Sequence, residues 1–262
     1  MRVDEQMVAL NLSDSLEMAR RLVMEGRVYQ GEERVAKPSD LVRRGFPLIL
    51  REGRPYVSRG AKKLIKALDA FDISVESKVC VDIGASTGGF TDALLKRGAA
   101  RVYAVDVGYG LLDWKLRNDA RTVVMERTNA RFLRPEQFDP PPSFGAADVS
   151  FISLKAIMPA AFSILAHEAA CVALIKPQFE AKPEYVKKGV VRDRSVHEQV
   201  ISDIARFVAR AGWTPAKLIP SPIRGAKGNV EFLLLILPGE TGAAGVTDEE
   251  ICLSVREGQD VS

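Results

Sequence analysis

Cysteine and histidine are scarce in this chain. Its 262 residues include 3 cysteines and 2 histidines, and no two of them have the spacing of zinc ligands. We therefore expect neither a metal site nor a disulfide framework. Cys80 and Cys171 lie inside apolar runs, which predicts buried and reduced thiols. Free thiols of this kind are typical of the cytoplasm, where we expect the protein to work.

Long apolar stretches are also absent. No run of about 18 apolar residues occurs, so no membrane span is expected. The N-terminus lacks the apolar core of a signal peptide. The longest apolar run, residues 232–237, has only the length of a strand. The sequence therefore predicts a protein without a membrane partner.

The formal net charge of +3 hides an uneven distribution. Residues 239–262 contain 1 arginine and 6 acidic residues, so the chain before them carries a clear excess of positive charge. This asymmetry predicts a body that binds a polyanion, followed by an acidic and solvated tail, and the sequence leaves open whether that tail folds. Lysines and arginines scattered over the surface without a ligand are the other interpretation, and charge alone does not exclude it.

A glycine-rich turn is the most informative local pattern. The apolar run 79–83 contains Asp82, and a tight turn follows it and leads into a helix-compatible segment. The spacing matches neither the dinucleotide fingerprint nor the P-loop. It resembles the first motif of S-adenosylmethionine-dependent methyltransferases, although an ordinary strand-to-helix turn would look similar. The resemblance implies that the cofactor contacts Asp82, Gly84, Ser86, Thr87, Gly88, Gly89 and Phe90.

From residue 78 onward, apolar strand patterns alternate with helical ones. This order predicts an α/β fold with a Rossmann-like, doubly wound and mostly parallel sheet. The methyltransferases that the turn resembles have seven strands, of which the last is antiparallel. Ligands are then expected at the carboxyl ends of the strands, near the switch point beside the first strand. The predicted strands are 79–83, 101–106, 122–126, 146–151, 171–176, 214–221 and 230–237.

The first 57 residues differ in composition from the rest. Apolar residues at helical spacing over 16–23 and a hairpin around Gly31 predict a small α+β domain. This segment resembles the S-four-type RNA-binding domain, although the usual Val-Asn-Gly turn is replaced. The resemblance is carried by residues 2–4, 19–28 and 37–38.

We therefore predict three segments along the chain. They are an RNA-binding domain at 1–57, a methyltransferase domain at 58–238 and the acidic tail at 239–262. Basic residues on and around the predicted helix and hairpin, with one basic residue at the start of the second domain, are the candidates for RNA contacts. They are Arg2, Arg20, Arg21, Arg27, Lys37 and Arg59. A charged surface without a ligand is the alternative.

Polar and charged side chains follow several of the predicted strands. Asp106 ends the second strand, where an acidic residue suits the ribose hydroxyls of a cofactor, and Asn129 after the third strand is the candidate for the adenine edge. Asp148, which is also a candidate for contact with the cofactor, and Lys176 end the fourth and fifth strands, and Glu231 begins the antiparallel strand. The topology brings the last three side chains to one edge, whereas each alone would be an ordinary strand terminus.

Taken together, the motifs resemble the TlyA (haemolysin A) family. Members of this family combine an S-four-type domain with a methyltransferase domain similar to the FtsJ type. The resemblance implies methyl transfer from S-adenosylmethionine to a ribose 2′-hydroxyl of ribosomal RNA in ribosomal subunits. It also implies a Lys-Asp-Lys-Glu set at Lys63, Asp148, Lys176 and Glu231, with Lys62 as a neighbouring alternative for the first lysine. The motifs lie at 82–90, 105–115, 148–153, 176–180, 189–193 and 221–231.

The sequence leaves other interpretations open. The family name suggests a membrane-active haemolysin, for which we find no span, signal peptide or strongly amphipathic basic helix. A non-catalytic RNA-binding protein could keep the fold, but the intact glycine turn and all four cleft residues argue against it. Base methylation would need a different motif at the fourth-strand tip, where residues 148–151 read Asp-Val-Ser-Phe. In the implied reaction, Lys176 acts either as a base or as an orienting group. The protein is expected to be a monomer or a weak dimer.

Overall fold

The structure is a computed structural model that describes residues 1–43, 45–51, 55–239 and 245–261. The chain divides into two compact units, Met1–Pro55 and Tyr56–Ser262. From the sequence we placed a domain boundary after residue 57, two residues further along the chain.

The first unit is a small α+β domain. Its helices are α1 (Val3–Ala9) and α2 (Leu16–Met24), and α2 begins where Ser15 Oγ accepts a hydrogen bond from the Met18 N–H at 3.1 Å. Three short antiparallel strands follow, in the spatial order β2-β1-β3. Their bounds are β1 (Val28–Gln30), β2 (Glu33–Arg34) and β3 (Leu48–Leu50). The core is thin and consists mainly of Val3, Met7, Ala19, Leu22, Val23 and Val28.

A seven-stranded sheet organises the second unit. The spatial order is β6-β5-β4-β7-β8-β10-β9, the pairs from β6 to β8 are parallel, and β10 is antiparallel to both of its neighbours. The predicted α/β fold with a mostly parallel seven-stranded sheet is confirmed. The strands are β4 (Val79–Ile83), β5 (Arg101–Val105), β6 (Thr122–Met125), β7 (Phe144–Ala147), β8 (Ala170–Ile175), β9 (Trp213–Pro220) and β10 (Phe232–Pro238).

Helices cover both faces of this sheet because its strands alternate between two apolar cores. Val81 and Ile83 pack with the residues of α6 and α8, whereas Cys80 packs with those of α3 and α4. Burial raises the pKa of both the Cys80 and the Cys171 thiol to about 12, as expected for core cysteines. The helices are α3 (Ala61–Phe71), α4 (Gly89–Lys96), α5 (Trp114–Arg117), α6 (Leu154–Ile164), α7 (Pro177–Glu180), α8 (Arg194–Arg210) and α9 (Asp248–Gln259).

The C-terminal segment, whose folding the sequence left open, contains a helix. Residues 248–259 form α9, which packs against α8 and β9. Thr247 and Glu250 cap its start reciprocally, and Ile251 and Val255 are 4% and 0% exposed in the core. The net charge of the segment does not show on which face of the helix each residue lies, so it gave no sign of the apolar face that is buried. Residues 240–244 lie outside the described part of the chain.

Across residues 1–43, 45–51, 55–239 and 245–261, no helix has both the length and the apolar character needed to cross a bilayer. In the same ranges, no group of three or more His, Cys, Asp or Glu side chains is arranged to hold a metal ion.

Candidate active site at the carboxyl ends of the strands

The glycine-rich turn joins β4 to α4 in a conformation that requires glycine. Gly84 and Gly88 have φ angles of +90° and +95°. A Cβ atom on Gly84 would lie 2.4 Å from the carbonyl oxygen of Asp148, and one on Gly88 would lie 2.2 Å from the side chain of Leu116. These glycines therefore allow the turn to pack against other parts of the protein, a reason that the sequence did not reveal.

Three of the residues that we predicted to contact the cofactor are buried, and their contacts with it stay a prediction. Asp82 is 0% exposed, and its Oδ2 accepts hydrogen bonds from the Thr91 N–H at 2.8 Å and hydroxyl at 2.7 Å. Burial raises the pKa of its carboxyl group to about 7. Phe90 belongs to the apolar core, and a Cβ on Gly89 would lie 2.3 Å from Ser58 Oγ. These residues support the turn from within the protein and do not form its exposed surface.

The surface of the turn is formed by Ser86 and Thr87, both of which are exposed. The half-buried Asp106 follows β5 beside them. Its Oδ2 accepts from the Ser86 N–H at 2.8 Å, and its Oδ1 accepts from the Gly108 N–H at 2.6 Å. Asp106 therefore fixes the turn relative to the end of β5, while each carboxylate oxygen keeps a further lone pair for a ligand hydroxyl.

Asn129 lies beyond the end of β6, close to the same strand tips. Its Oδ1 accepts from the Arg131 N–H at 3.1 Å and so caps the short 3₁₀ turn Ala130–Phe132. The neighbouring Thr128 N–H donates to the Asp106 carbonyl oxygen at 2.9 Å. Asn129 and Asp106 are thus tied to adjacent strand ends by backbone contacts.

Strand register brings the predicted reaction residues to one edge. Phe232 pairs with Ile175 in the antiparallel ladder between β10 and β8. Glu231 precedes the first of these residues and Lys176 follows the second, so both leave the sheet at the same edge. Lys63 is a buried residue in the first turn of α3, and its Nζ reaches this edge at 2.5 Å from Glu231 Oε2.

A second ion pair lies at the ends of β7 and β8. The Asp148 N–H donates to the Ile83 carbonyl oxygen at 2.9 Å, which extends the ladder by one residue. Its Oδ1 lies 2.5 Å from Lys176 Nζ, in an ion pair whose angles fall outside hydrogen-bond geometry. The hydrogen bond of this ammonium goes to Ser150 Oγ, at 2.9 Å.

These four charged side chains are largely removed from water. The side chains of Lys63, Lys176 and Glu231 are 10%, 10% and 2% exposed, and that of Asp148 is 20% exposed. Buried charges are tolerated when each has a partner, and removing one partner costs about 3–5 kcal/mol. The two pairs are charge-balanced, and the edge is most open to solvent at Asp148.

Two further residues shape the position of Glu231. Gln178 Nε2 donates to Glu231 Oε1 at 3.4 Å. A Cβ atom on Gly225 would lie 2.0 Å from the same oxygen, so glycine leaves the volume that the carboxylate occupies. Sequence reasoning assigned no role to Gln178, Gly225 or Ser150, because only tertiary contacts reveal what their side chains, or the lack of one, do.

Phe151 presents an aromatic ring at the mouth of this edge. It follows Ser150 directly, is 90% exposed and has a φ angle of +62°. An aromatic residue with positive φ is uncommon, because the side chain crowds the backbone there. The Phe151 ring lies 5.0 Å from the Phe179 ring, which itself lies 5.9 Å from Lys176 Nζ.

Glu180 fixes the segment that carries Asp148 and Phe151. Its carboxylate accepts from the Ser153 hydroxyl at 2.6 Å and from the Leu154 N–H at 2.7 Å, at the beginning of α6. Burial raises the pKa of this carboxyl group. The loop between β7 and α6 is therefore held at its far end by a partly desolvated acid.

Two of the candidate RNA-binding residues in the first unit also have a structural contact. Arg2 and Arg20 form ion pairs with the fully buried side chain of Asp4, at 2.8 and 2.9 Å. The hydrogen bond from Arg2 is the largest cause that lowers the pKa of Asp4 to about 2. Both arginines are still partly exposed, at 41% and 55% of their side chains.

The other candidates are more loosely held. Arg21 and Arg27 approach the Glu25 carboxylate only at 4.0 and 3.9 Å. Lys37 is exposed in the first unit, and Arg59 is exposed in the second unit, just before α3.

Comparison with known proteins identifies the two units. The family model for FtsJ-like methyltransferases matches residues 56–236. The chain belongs to the FtsJ-like methyltransferase family. The model for the S4 domain matches residues 1–45.

Relatives of this FtsJ-like methyltransferase match it over most of its length. YqxC of Bacillus subtilis, named as a candidate rRNA methyltransferase, is 49% identical over 263 residues, which cover 98% of this chain and 93% of the relative. The 16S/23S rRNA (cytidine-2′-O)-methyltransferase TlyA of Mycobacterium tuberculosis is 43% identical and covers 89% of this chain and 88% of its own. A solved structure of a candidate hemolysin from Streptococcus thermophilus is 43% identical and matches with a TM-score of 0.77. The match covers 99% of this chain and 95% of that one.

Proposed function

We propose that this protein transfers a methyl group from S-adenosylmethionine to a ribose 2′-hydroxyl of ribosomal RNA. The observation that carries the proposal is the pair of buried ion pairs, Lys63–Glu231 and Lys176–Asp148, at the carboxyl edge of the sheet. The TlyA relative that is 43% identical is named for this reaction, which supports the same chemistry here.

The residues beside the glycine-rich turn fit S-adenosylmethionine. Ser86 and Thr87 expose a turn without a basic side chain, which suits a ligand that has no phosphate. Asp106 and Asn129 supply acceptors and donors for ribose and adenine groups at the neighbouring strand ends. When it is bound, S-adenosylmethionine supplies an electrophilic methyl group on a sulfonium.

Lys176 holds the oxygen that receives the methyl group. Its ammonium forms an ion pair with Asp148 and donates a hydrogen bond to Ser150, so two neighbouring groups fix its position. In the proposed reaction this ammonium orients the 2′-hydroxyl and stabilises negative charge that develops on its oxygen. Asp148, the most exposed member of the set, accepts the hydroxyl proton.

Lys63 and Glu231 complete the edge from the other side. Their direct contact at 2.5 Å keeps both side chains extended towards the end of β8. A charge-balanced and largely dry edge strengthens the hydrogen bonds that hold the substrate, because little water competes for them.

The Phe151 ring receives the base of the target nucleotide. A nucleotide that enters a cleft must leave its stack, and an exposed aromatic face compensates by stacking, at about 1–3 kcal/mol per base. Phe151 is suited to this because it is 90% exposed and lies one residue beyond Ser150. The exposed basic side chains of the S4 unit bind RNA phosphates, so affinity falls with salt.

The decisive experiment incubates the protein with methyl-labelled S-adenosylmethionine and with 30S or 50S ribosomal subunits that lack the modification. We expect label on one ribose, which is then mapped in the RNA. Lys176→Ala should lose more than about 100-fold in rate and still bind S-adenosylmethionine. The matched control is Lys66→Ala, an exposed lysine on α3. Near-normal methylation by Lys176→Ala would remove this lysine from the mechanism, and label on a base would refute ribose methylation.

A further inference from the structure

A group of exposed basic residues in the second unit takes no part in the site described above. The stretch 182–194 holds five basic and two acidic residues, and Lys227 lies beside it. None of the basic side chains forms an ion pair with an acid in the described part of the chain. We call this group the basic ridge; it consists of Lys182, Lys187, Lys188, Arg192, Arg194 and Lys227.

The centre of the basic ridge is a tight hairpin turn. Lys187 and Val190 form an antiparallel bridge, and Lys188 between them has a φ angle of +55°. The buried Asn229 holds this turn, because its Nδ2 donates to the Gly189 carbonyl oxygen at 2.8 Å and its Oδ1 accepts from the Val191 N–H at 3.2 Å. The turn is thus held by a side chain from another part of the fold.

A second turn completes the basic ridge. Lys227 also has positive φ, at +56°, and its Nζ donates to the Lys188 carbonyl oxygen at 3.4 Å. Lysine seldom adopts this conformation, so the backbone here presents charged side chains at a local cost. Two lysines held in this way, side by side, concentrate positive charge that no acid within the described ranges neutralises.

The basic ridge is anchored to the strand ends that carry the ion pairs. Asn229, which holds the hairpin, is two residues before Glu231 in the chain. Lys182 is two residues after Glu180, which fixes the start of α6. Tyr185, 47% exposed, lies between the basic residues. Interleaved basic and aromatic side chains suit a nucleic acid better than an acidic protein surface.

We propose that the basic ridge binds RNA phosphates next to the nucleotide that enters the active site. This inference rests on the proposed function, and it assigns RNA contacts to the methyltransferase unit in addition to the S4 unit. The free protein bears the mutual repulsion of these charges. RNA phosphates relieve it, and the bound lysines and arginines release the counterions that were condensed on the RNA.

The test replaces the two lysines of the hairpin in the variant Lys187→Glu/Lys188→Glu. We expect the KM for ribosomal subunits to rise about tenfold or more while kcat changes little, because the ion pairs are untouched. The slope of log binding constant against log salt concentration should become less negative by about 1.5, the change expected for the loss of two phosphate contacts. Binding of S-adenosylmethionine should be unchanged, and this measurement also establishes that the variant is folded.

The matched control is Lys66→Glu/Lys217→Glu, which makes the same change in net charge at exposed positions of α3 and β9. An equal rise of KM in both variants would overturn the proposal, because it would reduce the effect to net charge. If the unaltered protein methylates neither subunit, the proposed function fails on its own. The basic ridge is then judged by filter binding of labelled ribosomal RNA, where the hairpin variant must bind about tenfold more weakly than the control.

Discussion

The substitution Gly225→Ala offers the most local perturbation of the candidate site. Gly225 has φ −73° and ψ −167°, which alanine adopts without strain. The added methyl would lie 2.0 Å from Glu231 Oε1 and 2.4 Å from its Cδ, whereas ordinary contacts begin at 3.4 Å. The Glu231 carboxylate must therefore move by about 1 Å or more, away from its contacts with Lys63 and Gln178.

The expected magnitude follows from this displacement. Overpacking of a filled site typically lowers the free energy of unfolding by about 1–3 kcal/mol. A displacement of about 1 Å in a catalytic group costs about 100-fold in rate. Gly225→Ala should therefore lose about two orders of magnitude in kcat, with modest destabilisation and with unchanged binding of S-adenosylmethionine, whose predicted contacts lie on other strands.

A double variant separates the clash from any other effect of the methyl group. Glu231→Asp shortens the side chain by one methylene and keeps a charge partner for Lys63. In that background Gly225→Ala should destabilise less, with a coupling of about 0.5–3 kcal/mol between the two positions. The measurements are methyl transfer to ribosomal subunits and denaturant unfolding of all four proteins. Equal destabilisation in both backgrounds would refute the reasoning.

Three further predictions concern other parts of the second unit. Phe151→Ala should reduce kcat/KM for RNA about 5- to 150-fold without changing the melting temperature, because the ring is 90% exposed and, in the proposed function, stacks on an RNA base. The pKa of Asp82 is raised to about 7 in the folded state, so between about pH 4 and 7 the folded protein binds one more proton at this residue than the unfolded chain does. The free energy of unfolding therefore falls as pH rises through this range. Asp82→Asn should flatten this dependence, which denaturant unfolding at several pH values measures. Ile251→Ala should cost about 2–5 kcal/mol by the same assay, whereas the control Leu253→Ala, at 55% exposure, should be nearly neutral. A flat pH dependence of the unaltered protein, or equal effects at 251 and 253, would contradict the last two.

The sheet and its edge were predictable because each strand is a short apolar run with a defined end. Asp106 and Asp148 directly follow the last residues of β5 and β7. In a parallel sheet such positions all leave the same edge, so topology alone gathers them. The pairing of Phe232 with Ile175 brings Glu231 to Lys176 for the same reason.

The roles of residues inside the turn could not be predicted in this way. Asp82 lies within β4, one residue before its end, whereas Asp106 comes one residue after the end of β5. Asp82 is still within the sheet and accepts from the N–H and hydroxyl of Thr91, in the helix that begins with Gly89. Asp106 has passed the strand end and accepts from the Ser86 N–H of the turn. A motif spaced along the sequence does not record whether a side chain lies within the sheet or beyond its edge.

The contacts around Glu231 also depend on residues that are remote in sequence. Gly225 has no unusual φ angle, and Gln178 lies in a helix of one turn, so neither has a local signature. The need for glycine arises only from the volume that the Glu231 carboxylate fills. Likewise, the apolar stripe of α9 is hidden in a segment whose composition is acidic, and only its burial against α8 and β9 separates it from a solvated tail.

The charges of the second unit are arranged in two different ways. At the sheet edge each lysine has an acidic partner, so the four side chains carry no net charge and remain largely buried. In the basic ridge the lysines and arginines are exposed and unpaired with any described acid. Unscreened surface charge attracts a polyanion over about 8–10 Å at physiological salt, whereas balanced buried pairs act only on groups in contact. Under the two proposals, RNA capture and methyl transfer depend on different residues, and salt should weaken the first while leaving the second unchanged once RNA is saturating.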